Sequence, residues 1–492
     1  MRRSSGVLLP LSSLPSPYGI GSCGREAREF VDFLARAGQS WWQLLPVGPT
    51  SFGDSPYQSP SSFAGNPYFI DLDELVVRGV LKRREVEAVR WGADASSVDY
   101  AALYEHRLPL LRTAFERSRG EDAREVDAFA RANASWLADY ALFMALKRHF
   151  GMVSWTEWPN EALRLRDEGE LDRWRERLED DVAFHCWLQW LFLAQWQALR
   201  AYAQVRGVGI IGDVPVYVAL DSADVWASPE SFQLDEDKRP VAVAGVPPDY
   251  FNADGQLWGN PLYDYEAMAQ DGFAWWVRRM GGAARLFDVV RIDHFRGFES
   301  YWRVPAGAAT ARGGTWEKGP GMALVGRLIQ AYPEVSFIAE DLGYPSRQVE
   351  QLLADSGLPG MKLLEMAFDA RDESDYLPHR YERNSVCYVG THDNAPIMGW
   401  RDEADPADVQ KAVDYLGIGP DEGFNWGVIR GGMGSVADLF VAQMQDLLGL
   451  GSETRTNTPG TLGVNWRWRL RADQLTDELA DRLATMTRMY GR

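Results

Sequence analysis

The sequence predicts an α/β chain folded as a (β/α)8 TIM barrel, with inserted, mainly helical segments and long loops at the C-terminal face. Three observations carry that expectation. Short apolar, β-branched runs alternate with helical stretches, the pattern of a parallel sheet. Eight such runs can be counted along the chain. Four of them end in a carboxylate (Asp213, Asp293, Glu340 and Asp393), and strand ends of such a barrel converge on one site.

Taken in order, GVLL at 6–9 is the first strand. Ala27, Phe30, Val31 and Leu34 then recur at i, i+3, i+4 and i+7, an amphipathic helix stopped near Gly38. WWQLL at 41–45 returns as a strand, so the chain opens with a βαβ unit. A long loop rich in turn residues follows, GPTSFGDSPYQSPSSFAGNPYFIDL, and long loops in compact domains tend to be functional.

From 73 to 207 the pattern is helical, an insertion expected to brace the barrel wall. Strand character resumes in VGIIGDVPVYV, where Asp213 shares a face with Ile211. A loop-rich insertion occupies 219–282 and carries PPDYFNADGQLWGNPLYDY, dense in aromatics. The remaining strands are FDVVRID, VSFIAED, MKLLEMAF, SVCYVGTHD and a weak one at 439–444. A closing helix lines up Leu475, Leu479, Leu483 and Met486. The whole chain, 1–492, thus reads as a single catalytic barrel with two insertions. No GxGxxG follows the first strand and no P-loop pattern occurs, so nothing supports an open nucleotide-binding sheet.

Composition narrows the partners. The net charge is −19, from 51 basic and 70 acidic residues, with no basic run of note. Nucleic acid and anionic membrane surfaces both need clustered Lys and Arg, so neither is expected. Nothing reaches the roughly 18 apolar residues of a membrane span. MRRSSGVLLP has basic residues and a few apolar ones, but Pro10 and Pro15 break the run, which argues against a signal peptide. Three scattered cysteines suggest thiols of a reducing compartment, and the expected location is cytoplasmic. No Cys/His spacing suggests zinc, and no cofactor is expected.

The chemistry concentrates in VRIDHFRG, 290–297. Alternation puts Val289, Arg291 and Asp293 on one strand face, and an arginine beside an aspartate favours the ionised carboxylate. Glu340 instead follows Phe337, Ile338 and Ala339, an apolar run that raises a carboxyl's pKa and keeps it a proton donor. Clustered carboxylates serve either a divalent metal or glycosidic bond cleavage, which needs one ionised and one protonated acid. The asymmetry between Asp293 and Glu340 favours the second.

The blocks GPTSFGDSPYQS, GDVPVYVALDSADVW, QLWGNPLYDY, RIDHFRG, AEDLG and GTHDN occur in the order of the signature blocks of the amylomaltase (4-α-glucanotransferase, or disproportionating enzyme) family. The chain resembles that branch of the α-amylase superfamily from GVLLPLSSLPSPYGIG to NTPGTLGVNWRWR. The resemblance implies Asp293 as nucleophile, Glu340 as general acid/base and Asp393 as a third carboxylate that binds sugar hydroxyls. It implies that Arg291 orients Asp293, and that Tyr57, Asp213, His294, His392 and Asn457 contact substrate. It also implies an aromatic lid over the acceptor, with Tyr250, Phe251 and Trp258.

Two departures stand out. Ala395 follows GTHDN where many members carry an acid, and TRTN at 454–457 lacks the usual apolar residue before Asn457. Both concern acceptor preference more than the reaction. No C-terminal β-sandwich is expected on this branch.

The implied function is transfer of an α-1,4-glucan segment to the 4-hydroxyl of another glucan, or of glucose, by a retaining double displacement. Maltooligosaccharides would be the partners, and the chain would be a monomer or a weak homo-oligomer. An α-amylase-type hydrolase with the same acids is the alternative, and a non-catalytic glucan-binding protein on the same fold a further one.

Overall fold

The computed structural model describes residues 2–248, 253–343 and 346–492. Eight parallel strands form its centre: Ser4–Leu8 (β1), Trp41–Gln43 (β2), Gly209–Pro215 (β3) and Val289–Asp293 (β4). They continue as Ser336–Ala339 (β5), Gly360–Leu363 (β6), Ser385–Tyr388 (β7) and Leu439–Gln443 (β8). Successive strands pair in chain order except β5 with β6, and β8 pairs with β1. The seam between β5 and β6 is closed by Ala339 N–H donating to the Pro359 carbonyl (3.0 Å) and Met361 N–H donating to Asp341 Oδ1 (2.7 Å). The expected (β/α)8 barrel is therefore what forms.

Alternation fills the interior. Leu8, Ile211, Val289, Ile338, Val386 and Val441 point inward as one dry cluster. One step further along β3 and β4 the same inward face carries Asp213 and Arg291, so a charged layer caps an apolar one. The opposite faces meet helices. In Arg25–Arg36, Phe30, Val31 and Leu34 are fully buried, and the helix stops at Gly38, whose φ of +69° suits a glycine.

The stretch 73–207 is helical, with long helices at Tyr100–Ala132, Leu137–His149 and Glu179–Val205. The last of these also organises the loop after β2. Gln189 exchanges hydrogen bonds with the Gly65 backbone (2.8 and 2.9 Å), and Gln195 Oε1 accepts from Asp71 N–H (2.7 Å). A Cβ at Gly65 would lie 1.9 Å from the Phe192 ring, so only glycine fits that approach.

The 219–282 stretch is more than loop. Ala242–Val246 and Gln256–Pro261 join Ser300–Pro305 and Thr315–Lys318 in a four-stranded antiparallel sheet beside the barrel mouth. After β8 the chain returns to the helical shell, ending in Asp477–Tyr490, with Arg36 Nε donating to Asp481 Oδ1 (3.0 Å) between the first and last helices. Among the described residues no helix is long and apolar enough to cross a membrane.

Candidate active site

The ends of β3, β4 and β5 bring the central acids together. Asp213 is register-paired with Arg291, and Ile292 with Ala339. The ladder continues one step, because Glu340 N–H donates to Ile292 O (3.0 Å) and Phe295 N–H to Glu340 O (2.9 Å). Glu340 therefore emerges beside Asp293 on adjacent strands.

Arg291 is the hub of the charged layer. Its Nη1 donates to both Asp213 oxygens (2.8 and 2.6 Å) and to Asp293 Oδ1 (2.9 Å). The Asp213 side chain has 0% exposure against 26% for Asp293, so Asp293 alone of the pair faces the mouth. Burial pushes the Asp213 carboxyl upward and Arg291 pulls it back. The two neighbouring carboxylates hold the Arg291 guanidinium firmly charged, against its own burial.

Glu340 sits in the opposite setting. Burial first, and the negative charge of Asp293 second, push its carboxyl up to about 8, with Arg291 and two backbone donors opposing. Those donors are His294 N–H to Oε2 (2.7 Å) and Leu342 N–H to Oε1 (2.8 Å). His294 can aim its N–H there because it adopts a left-handed conformation, φ 53° and ψ 47°, costly for a residue with a Cβ. Its half-buried ring is desolvated, which pushes its pKa down to about 4 and leaves a neutral imidazole near neutral pH.

A second wall rises from the loops after β2 and β7. Tyr57 O–H donates to Asp213 Oδ2 (2.8 Å), and its ring stacks on His392 with centroids 5.2 Å apart and planes 12° from parallel. His392 Nε2 lies 3.4 Å from Asp393 Oδ1. Asn457 Nδ2 donates to that same oxygen (2.6 Å), and Asn457 N–H donates to His392 O (3.1 Å). Trp258, on the antiparallel sheet, packs edge-on against the His294 ring at 4.8 Å. Tyr250 and Phe251 lie outside the described residues.

Three contributors were not anticipated from the residues. Tyr217 packs near His294 (6.1 Å), Trp466 flanks Tyr57 (5.7 Å), and Arg455 ties the Asp393 carbonyl to the Asn457 carbonyl. Arg455 has a sequence signal, since it stands two residues before Asn457. Among the described residues no group of three or more His, Cys, Asp or Glu side chains is placed to hold a metal ion.

This arrangement supplies a carboxylate beside a fixed cation, a neighbouring carboxylic acid that holds its proton to about pH 8, and an acid-lined wall of hydrogen-bonding groups. Comparison with known proteins agrees in kind. The family described as 4-alpha-glucanotransferase matches residues 9–476. The 4-alpha-glucanotransferase of Thermus thermophilus is 48% identical over 495 residues, covering 98% of each chain. That of Streptococcus pneumoniae is 47% identical over 493 residues, covering 100% of this chain and 98% of its own. The structure of amylomaltase from Streptococcus agalactiae in complex with acarbose superposes with a TM-score of 0.97 at 41% identity, over the full length of both chains.

Proposed function

The chain belongs to the 4-alpha-glucanotransferase family, and from that premise we propose how its own side chains carry glucan transfer. One observation supports the assignment above the others. Two carboxyl groups stand on adjacent strand ends, one hydrogen-bonded to Arg291 and one raised to about 8 by burial and by its neighbour. That is the division of labour of a retaining glycosidic site.

Asp293 attacks the anomeric carbon as the glycosidic C–O bond breaks. The Glu340 proton passes to the departing 4-oxygen, leaving a glucosyl ester on Asp293. Glu340, now a carboxylate, takes the proton of an acceptor's 4-hydroxyl. The acceptor oxygen then displaces Asp293 and the acid is restored. Arg291 steadies the Asp293 charge before attack and as the ester departs.

Asp393, steadied by Asn457, binds donor-sugar hydroxyls and favours the distorted ring. Tyr57 and His392 form the stacked wall against which that sugar rests. Asp213 takes a different role from the sugar contact expected of it. With no exposed side-chain surface and bonds to Arg291 and Tyr57, it positions both rather than meeting substrate.

Transfer wins over hydrolysis when acceptor sugar displaces water from the ester. Trp258, beside His294, serves that acceptor side, and Tyr250 and Phe251 are assigned to acceptor binding with it. The acceptor is a maltooligosaccharide or glucose, no metal takes part, and the chain works as a monomer or weak homo-oligomer. Three free cysteines fit a cytoplasmic location.

Maltotriose alone, supplied to pure protein, gives glucose and a ladder of longer maltooligosaccharides with little gain in reducing ends. Net new reducing ends without a ladder would identify a hydrolase.

A further inference from the structure

The short helix Met444–Leu448 that follows β8 carries two fully buried polar side chains in succession, Gln445 and Asp446. Each reaches a different active-site loop. Asp446 Oδ1 accepts from Ile397 N–H (2.8 Å), which fixes the far end of the loop that carries His392 and Asp393. Gln445 Nε2 donates to the Thr454 carbonyl (3.1 Å) and to Thr456 Oγ1 (3.1 Å), which fixes the turn just before Asn457. A carbonyl can only accept, so the Thr454 contact identifies the nitrogen end of the Gln445 amide. The two loops also touch: a Cβ at Gly399, in the helix Ile397–Glu403, would stand 2.8 Å from the Ser452 backbone nitrogen.

The segment that Gln445 holds is the one that grips the third carboxylate. Arg455, between the two threonines, donates to the Asp393 and Asn457 carbonyls. Asn457 donates through Nδ2 to Asp393 Oδ1 (2.6 Å) and through its N–H to His392 O (3.1 Å). The Thr456 carbonyl accepts from Trp466 N–H (2.7 Å), and the Trp466 ring lies 5.9 Å from that of His392. Trp466 has a left-handed φ of 66°, a costly conformation for a residue with a Cβ that its surroundings must enforce. Gln445 Oε1 has no hydrogen-bond partner among the described residues, a cost that an apolar side chain of the same length would avoid.

We propose that Gln445 is a positioning residue for the third carboxylate: by holding Thr454 and Thr456 it sets Asn457, and through Asn457 the placement of Asp393 against the donor sugar. The proposal deepens the transferase reading and rests on the role given there to Asp393. The Thr456 hydroxyl supplies half of the hold, at the position where this chain departs from the apolar residue usual before Asn457.

The test compares Gln445→Met, Thr456→Val and Thr456→Ser, each in the parent protein and in Asp393→Ala, with maltotriose as substrate. Each is assayed at a temperature where its circular dichroism matches the parent protein. Gln445→Met is expected to lower kcat about 30-fold while KM stays within about threefold, the mark of a misplaced transition-state contact. Thr456→Val, which leaves the Thr454 bond in place, lowers kcat about fivefold, and Thr456→Ser, which keeps the hydroxyl, stays within about twofold of the parent. In Asp393→Ala the Gln445→Met loss shrinks to about threefold or less, because the contact it places is already gone. A parent-like kcat in Gln445→Met, a Ser variant as slow as the Val variant, or a Gln445→Met loss of equal size with and without the Asp393 carboxylate would each overturn the proposal. Should Gln445→Met not fold, the Thr456 pair in both backgrounds decides by the same criteria. If Asp393→Ala is impaired and Gln445→Met is not, only the positioning role falls. If Asp393→Ala itself keeps full activity, the role of Asp393 falls and this proposal with it.

Discussion

Removing the Arg291 guanidinium separates what holds the barrel together from what runs the chemistry. In Arg291→Met, Asp213 loses two charge-assisted bonds of 2.8 and 2.6 Å and keeps only the Tyr57 hydroxyl. Breaking a buried pair by deleting one partner costs about 3–5 kcal/mol, because a desolvated charge is left behind. Unfolding entropy of about 2 cal/mol/K per residue over 492 residues is about 1 kcal/mol/K, so the melting temperature should fall by about 3–5 °C. Adding Asp213→Asn removes the stranded carboxyl and should return at least half of that loss. Activity should not return with it, since Asp293 still lacks its cation, and both variants should stay about 100-fold slow in kcat/KM. Differential scanning calorimetry and maltotriose disproportionation read the two quantities. A double variant no more stable than the single, or one that recovers activity along with stability, would refute the reasoning.

The pH dependence follows from Glu340, whose carboxyl is raised from 4.5 to about 8. The general acid is present below about pH 8, so kcat/KM should fall on the alkaline side, and Glu340→Gln assayed on a glycosyl fluoride should lack that limb. A raised folded-state value also means stability that is full below about 4.5 and lost as pH rises through about 8. Glu340→Gln should flatten that slope in chemical denaturation series at pH 6 and 9. At His294, Gly or Asn should be accepted without loss of melting temperature, whereas Val should cost about 1–2 kcal/mol or more because its Cβ opposes the left-handed backbone. Exhaustive EDTA treatment should leave transfer unchanged, with Arg291 already supplying positive charge at Asp293, and activity restored by added Ca²⁺ or Mg²⁺ would contradict this.

Much of the barrel was legible because parallel strands buried on both faces leave compact apolar runs in the sequence, as in VVRID and LFVAQ. The antiparallel sheet was not. Its strands AVAGV and QLWGNP carry Gly and Pro, and AVAGV reaches its neighbour Ser300–Pro305 only across β4 in the chain. Such pairing has no local signature. The adjacency of Arg291 and Asp293 was readable from alternation alone, but the bond from Arg291 to Asp213 depends on β3–β4 register. Depth was equally hidden: Asp213 and Asp293 look alike as strand-end acids, yet one is sealed and the other exposed to the mouth.

The most direct measurement asks which carboxylate receives the sugar. Glu340→Gln protein is mixed with an α-maltotriosyl fluoride, whose leaving group needs no proton, then denatured in acid, digested with pepsin and analysed by mass spectrometry. With Glu340 unable to activate an acceptor, the ester should accumulate, and the maltotriosyl mass should reside on the peptide carrying Asp293 and on that side chain. The mass on Asp393 or Asp213 would contradict the assignment of the nucleophile, and turnover with no covalent adduct and a β-configured product would contradict double displacement itself.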